Sequence, residues 1–368
     1  MKQRAGQIGD KLTSPADIEG NPPIAAETQS VVRYSPLNAE SPVAALAAPV
    51  TLTAHTYVRS NFEMPRLDYT THRIVCDGAM RCPGFSSMED LAQLPQRTVI
   101  ATMECAGNDR TGIRPLPGGE PWNGGAISTT RWTGVPLHHV LDALEPNEDA
   151  AAVLAVGADC GAPADATESV AFARAIPMHV ALSPDTLLAL TMNGEPLPPL
   201  HGGPVRLLVP GWYGMASVKW VAQITVLVDE YAGYFQRQRY VYDDHNGTRP
   251  VTRMRVKSLI VAPSEGNVVP PGDVTVWGWA WSGEGKISEV EVSTSGDGQW
   301  YAANLLPPES PHAWWRWEVT VPLLTPGRYV LRSRARDSSG AVQPDSPVWN
   351  RLGYGNNAIQ QVTIYVAP

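Results

Sequence analysis

No run of about 18 apolar residues interrupts the 368-residue chain, so no transmembrane helix is expected. Met1 to Gly6 carry positive charge, but no apolar stretch follows them, and the chain as written shows no secretory signal. Cysteine is scarce: Cys76, Cys82, Cys105 and Cys160 are too few for a disulfide scaffold. A reducing cytoplasm is therefore the default expectation, with a processed periplasmic form as the alternative. Cys76 and Cys82 are close enough in sequence to pair, though nothing requires it. Cys-x-x-Cys, His-Glu-x-x-His and phosphate-binding Gly-Lys-Ser/Thr motifs are all missing, which removes the usual support for zinc, heme attachment and nucleotide hydrolysis. Cations are in deficit as well: 28 Lys and Arg against 36 Asp and Glu leave a formal charge of −8. That balance argues against nucleic acid as a partner.

The length suits two domains, each able to bury a sizeable core. Residues 1–48 are rich in Pro, Ala, Ser and Glu without a clear period and read as an extended, partly disordered arm. Thr98–Thr102 is a short apolar β-type run that leads into Met103-Glu104-Cys105-Ala106-Gly107-Asn108-Asp109-Arg110. Cys105 then sits where a strand gives way to a loop, uncrowded by small neighbours, with Gly107 and Asn108 able to take φ > 0. Arg110 nearby would lower its pKa and favour a thiolate, a nucleophile or soft ligand. An inert buried cysteine is the plainer alternative.

Further along, Ser87 followed by Glu89 and Asp90 predicts a capped short helix, and His138–Leu144 predicts an amphipathic one. Val153–Asp159 reads as a buried strand that ends in a carboxylate, and Asn193-Gly194 as a hairpin turn. The stretch from His201-Gly202-Gly203 through Arg206 to Ser217 and Lys219 places cations on glycine-rich loops around a strand. That combination suits a phosphate, held by backbone N–H groups and side-chain charge. After residue 251 the composition changes: eight of the twelve tryptophans lie at or beyond Trp277. Turns recur every eight to twelve residues, and Trp277, Trp279 and Trp281 alternate on one strand face. About seven short alternating strands predict an immunoglobulin-like β-sandwich.

Cys105-Ala106-Gly107-Asn108 with an arginine shortly after resembles the molybdenum-ligand loop of the sulfite oxidase family. The order of the later motifs agrees, and the resemblance covers roughly residues 55–368. It implies an α+β chain: a mixed α/β molybdopterin-binding domain at 49–250, then the all-β immunoglobulin-like sandwich at 251–368, through which subunits pair as a homodimer. It implies molybdenum carried on a pyranopterin, with Cys105 as the protein's metal ligand. Arg59, Arg110, Trp122 and Tyr240 match the family's substrate-facing residues, with Tyr242 too close to Tyr240 to dismiss. Asn61, Phe62, Asp159, His201, Arg206, Ser217 and Lys219 fall where the cofactor is held, although Ser60-Asn61 replaces the family's Asn-His. Sulfite-oxidising members read Trp-Asn-Leu-Arg-Gly near the end. Here the run is Trp349-Asn350-Arg351-Leu352-Gly353, so leucine stands at the arginine's place.

The expected reaction is oxo transfer to a small oxyanion or sulfur compound, sulfite to sulfate first. Nitrate- or sulfoxide-type substrates are the alternative. No stretch reads as a heme-binding domain, so electrons would leave to an external acceptor, a cytochrome or oxygen. Two readings of other classes compete: a thiol hydrolase using Cys105 with His201 as base, and a binding protein whose sandwich contacts a partner. The latter leaves the first 250 residues unexplained.

Overall fold

The structure, a computed structural model, describes residues 28–244, 247–294 and 298–368. The arm expected at 1–48 falls outside the described residues as far as residue 27. From Ser30 it is ordered, as a hairpin of Ser30–Tyr34 and Leu37–Glu40 followed by a short 3-10 turn, Val43–Leu46.

Two five-stranded sheets make up the larger part of the molecule. One runs Glu195–Pro196, Leu187–Met192, Ile127–Pro136, Arg97–Glu104, with Arg206–Leu208 also paired to Leu187–Met192. Its tight turn is the one expected. Asn193 and Gly194 have φ of 53° and 87°, the pair of left-handed residues that a two-residue hairpin requires. The other sheet runs Gly84–Ser87, Arg73–Gly78, Val221–Leu227, Ala152–Gly161, Val170–Pro177, and only its Arg73–Gly78/Val221–Leu227 pair is parallel. The helices are few and short, so the expected "mixed α/β" layer is mostly sheet. Met88–Gln93 starts with a full capping box, Ser87 and Asp90 each accepting from the other's backbone N–H. Leu137–Leu144 buries Leu137, Val140, Leu141 and Leu144 along one face, the period-3.6 stripe visible in the sequence.

The second part is a two-sheet β-sandwich. Four strands, Lys257–Ala262, Gly272–Trp281, Trp315–Leu323 and Asn304–Leu306, face five, Val268–Val269, Gln360–Val366, Gly327–Asp337, Ile287–Ser293 and Tyr301–Ala302. Between them lies a core that includes Ile260, Val276, Trp317, Val321, Leu331 and Ile364. Strand side chains alternate between faces, so on Gly272–Trp281 the residues Val276 and Ala280 enter this core while Trp277, Trp279 and Trp281 turn away from it. Those tryptophans do not wait for a second subunit. They join the core of the first part: Trp279 stacks on Trp314 at 4.9 Å, and their indole N–H groups donate to the carbonyls of Leu46 and Pro49. Trp279 and Trp281 are buried within the chain and Trp277 is half-buried against the same cluster.

Candidate active site

Cys105 follows directly on the strand Arg97–Glu104, as expected, and is buried at 6 % exposure. Its N–H donates to the Ala126 carbonyl, and its own carbonyl accepts from the Asn108 N–H, both at 2.9 Å. The loop's left-handed residue is Asp109, with φ of 58°, rather than Gly107 or Asn108. Gly107 is needed for space: a Cβ there would stand 2.3 Å from the Arg110 guanidinium, which folds back over it. Asn108 works through its side chain, which accepts from Ala126 N–H and donates to the Glu104 carboxylate, each at 3.0 Å.

Beside Cys105 opens a cleft that gathers nine of the twelve expected site residues: Cys105, Arg59, Asn61, Tyr240, Asp159, His201, Arg206, Ser217 and Lys219. At one end, Arg59 donates to the Asn61 side-chain oxygen at 2.7 Å, and the Asn61 amide donates to the Tyr240 hydroxyl at 3.2 Å. Tyr240 lines the cleft and Tyr242 does not. At the other end, Arg206 donates to the carbonyls of Ser217 and His201 at 3.1 and 3.0 Å. Lys219 donates to the Ser60 hydroxyl at 2.8 Å, and the Ser217 hydroxyl accepts from Val209 N–H at 3.0 Å.

Three expected residues stand outside the cleft lining. The Arg110 guanidinium is held by the carbonyls of Glu120 and Leu352 and lies 5.2 Å from the Tyr354 ring centre. Trp122 is fully buried in the small core that includes Cys105, its indole N–H without a partner. Phe62 packs edge-on against Phe235 at 5.7 Å. Sequence reasoning missed Tyr57, Met103 and Trp132, which also line the cleft. Tyr57 was within reach, because it lies two residues before Arg59 on the same extended segment. Met103 was too, two residues before Cys105 on the strand that leads into it, whereas Trp132 carries no local signal.

Burial dominates the electrostatics. It pushes the Cys105 thiol up, against the pull of Arg59 and Arg110, so the expected arginine-lowered thiol is not what the free chain holds. Burial, then the charges of Arg206 and Lys219, pushes His201 down to about 3, so its ring is neutral near pH 7. Burial lifts Asp159 to about 6 against the opposing charge of Lys219, and its Oδ1 is buried without a hydrogen-bond partner. Arg59, Arg206 and Lys219 thus face a single carboxylate in the cleft. A surplus of cations there fits a phosphate, the orphaned Asp159 oxygen fits an N–H donor of a heterocycle, and the thiol fits a soft metal. Cys105 and His201 do share the cleft, yet the buried thiol and the cation-flanked histidine are poorly poised as a nucleophile and base.

The sequence profile of the oxidoreductase molybdopterin binding domain matches residues 61–235, and that of the Mo-co oxidoreductase dimerisation domain matches residues 248–367. Sulfite oxidase from Gallus gallus is 36 % identical over 350 residues, covering 86 % of this chain and 74 % of that protein. The chain belongs to the sulfite oxidase family. It is an oxidoreductase whose cofactor is molybdenum on a pyranopterin. Mitochondrial sulfite oxidase of Homo sapiens is 33 % identical over 96 % of this chain and 68 % of that protein. A nitrate reductase of Hordeum vulgare is 30 % identical over 97 % of this chain but only 43 % of its own length. Among solved structures, the sulfane dehydrogenase SoxCD from Paracoccus pantotrophus superposes with a TM-score of 0.80 at 28 % identity, over 98 % of this chain and 94 % of that one.

Proposed function

We propose that this protein oxidises a small reduced sulfur compound, with sulfite to sulfate as the first candidate, and passes the electrons to an external acceptor such as a cytochrome or oxygen. The observation that carries this is the shared cleft: one thiol, Arg59 and Tyr240 at one end, and Arg206 and Lys219 with neutral His201 at the other. Bound there, the molybdenum-pyranopterin group supplies two-electron oxo transfer, with water as the source of oxygen. Cys105 donates the protein's sulfur to the metal. Arg206, Lys219 and Ser217, with neutral His201, hold the phosphate of the pyranopterin, and Asp159 accepts from its ring. Arg59 draws an anionic substrate in and, with Tyr240 donating from its hydroxyl, balances charge on the substrate oxygens. Asn61 fixes both by bonding to each. Phe62, Trp122 and Arg110 support this set from behind.

A sulfane sulfur is the second reading, favoured by the residue at position 352. Leu352 is buried, and Arg351 points outward to an ion pair with Asp243 at 2.6 Å. Neither lines the cleft. The site therefore has one anion-binding cation fewer than the sulfite-oxidising pattern, which suits a less charged substrate. Residues of about 251–368 form the pairing domain of a homodimer on this reading, and a dimeric mass in solution at micromolar concentration is expected.

Elemental analysis with dye-reduction assays on sulfite and on a sulfane donor tests the proposal. One molybdenum per chain is expected, absent or inactive in Cys105→Ala. Arg59→Met should raise the sulfite KM roughly ten- to a hundredfold, the value of one charge-assisted contact. Active, properly matured protein without molybdenum or tungsten would end this reading.

A further inference from the structure

We propose that Lys257 and Trp281, both from the sandwich, are positioning residues for the Cys105 loop, acting through the carboxylate of Glu104. Glu104 immediately precedes Cys105 and is 1 % exposed. Every group that bonds its side chain is a donor. The Asn108 amide reaches Oε1 at 3.0 Å, with the Lys257 ammonium 3.5 Å from the same atom. The Trp281 indole N–H reaches Oε2 at 3.0 Å. Both oxygens of this carboxyl group therefore face donors, with a buried ammonium beside one of them.

Lys257 is itself fixed. It donates to the Asn356 carbonyl at 2.9 Å and stands 3.8 Å from the Asp109 carboxylate on the far side of the loop. Asn356 in turn donates to the Asp109 carbonyl at 2.8 Å, and the Gly355 N–H donates to the Ala106 carbonyl at 2.7 Å. The loop from Glu104 to Asp109 is thus gripped at both ends by the second part of the chain. Lys257 and Trp281 sit on neighbouring, directly paired strands, Lys257 opposite Trp281 in register, so one strand pair presents both donors to Glu104. Moving this loop would move the sulfur that ligates the metal, so the grip of Lys257 and Trp281 bears on the placement of that ligand.

The inference rests on Cys105 as metal ligand, which the loss of molybdenum in Cys105→Ala tests separately. Its own test uses the loaded enzyme and the variants Glu104→Gln, Lys257→Met and Lys257→Arg. Measured are molybdenum content, the midpoint potential, the electron paramagnetic resonance signature of the half-reduced centre, and kcat against KM for sulfite. Glu104→Gln turns one acceptor into a donor facing a donor. It should shift the midpoint potential, alter the signature and lower kcat roughly tenfold, as for a displaced reacting group, with KM little changed. Lys257→Met removes the ammonium that links Glu104, Asp109 and the Asn356 carbonyl and should shift the potential and signature or lose molybdenum, with Lys257→Arg restoring the wild-type signature. Should Lys257→Met not fold, Glu104→Gln decides alone. A wild-type potential and signature in loaded Glu104→Gln, with only the melting temperature lowered, would reduce this network to a structural strut and overturn the proposal.

Discussion

His201 shows how much a single side chain can owe to its surroundings. Its imidazole is hemmed in by Arg206 and Lys219 and by burial, so it stays neutral down to about pH 3 in the folded chain. In the unfolded chain a histidine takes up its proton near pH 6.5. Between those values the unfolded state binds more protons, so the stability of the cofactor-free protein should fall as pH drops from about 6.5 toward 3. Asp159 works in the other sense: its folded pKa of about 6 lies above the ordinary 3.8, so it gains stability as pH falls between them. Replacing His201 by Asn isolates the histidine. From pH 7 to pH 5, urea unfolding should show the variant improving on wild type by about 2 kcal/mol. An unchanged difference between the two proteins would mean that His201 protonates in the folded state. At this scale the sequence was informative wherever a residue type and a motif coincide, as at Cys105, Arg206 and Lys219. It could not foresee that burial would outweigh the arginines at the thiol, because burial is a property of the packed chain.

At the scale of elements, the legible features were those with local causes. The Ser87 capping box, the Asn193-Gly194 turn and the apolar stripe of Leu137–Leu144 each depend on residues within a few positions of one another. The segment Asn350–Asn357 behaves differently. Read as a strand, it predicts that a one-residue shift sends Arg351 to the opposite face from Leu352; read as a loop, it leaves Arg351 able to reach the site. The segment is in fact a loop, in which Asn350 bonds Tyr354 through both its side-chain amide atoms. Arg351 nevertheless points outward to Asp243, while the Leu352 carbonyl accepts from Arg110. The conclusion about Arg351 stands on a contact that the strand argument did not contain. Because Arg351 is more than half exposed and Asp243 about a third, the ion pair is worth little. Arg351→Ala should leave sulfite turnover within about twofold of wild type. Leu352→Arg should lower the sulfite KM by about tenfold or more, the worth of a regained charge-assisted contact, at some cost in stability because the site is buried. Steady-state kinetics on both variants decides the matter: loss of turnover in Arg351→Ala would show that this arginine already serves the substrate.

In the whole molecule, the two parts are joined by a shared hydrophobic cluster that lies beside the sandwich's own core. Leu46, Trp279, Trp281, Trp314 and Leu352 belong to the same buried cluster as Ile74, Val153 and Ile224. The segment around Leu46 and Pro49 lies beneath the Trp279–Trp314 stack, with two of its carbonyls bonded to the indoles. The alternation of Trp277, Trp279 and Trp281 was plain in the sequence. What covers them was not, because much of the cover, such as Leu46 over Trp279 and Glu104 at Trp281, comes from far earlier in the chain. A weak, polar contact between domains would let each unfold separately. A shared core with buried N–H donors gives the opposite expectation. Calorimetry of the wild type should show one cooperative transition, since exposing the tryptophan face would strip apolar surface from both parts at once. Trp279→Ala should cost about 3–5 kcal/mol, the range for a large buried aromatic. The same change should broaden or split the transition, because the stack and a hydrogen bond to the Leu46 carbonyl go together. Trp279→Phe keeps most of the packing and abandons only the donor, so about 1–3 kcal/mol of that loss belongs to the unpaired carbonyl. Two well-separated transitions in the wild type, with the upper one unmoved by Trp279→Ala, would show instead that the sandwich holds itself together without the face it buries.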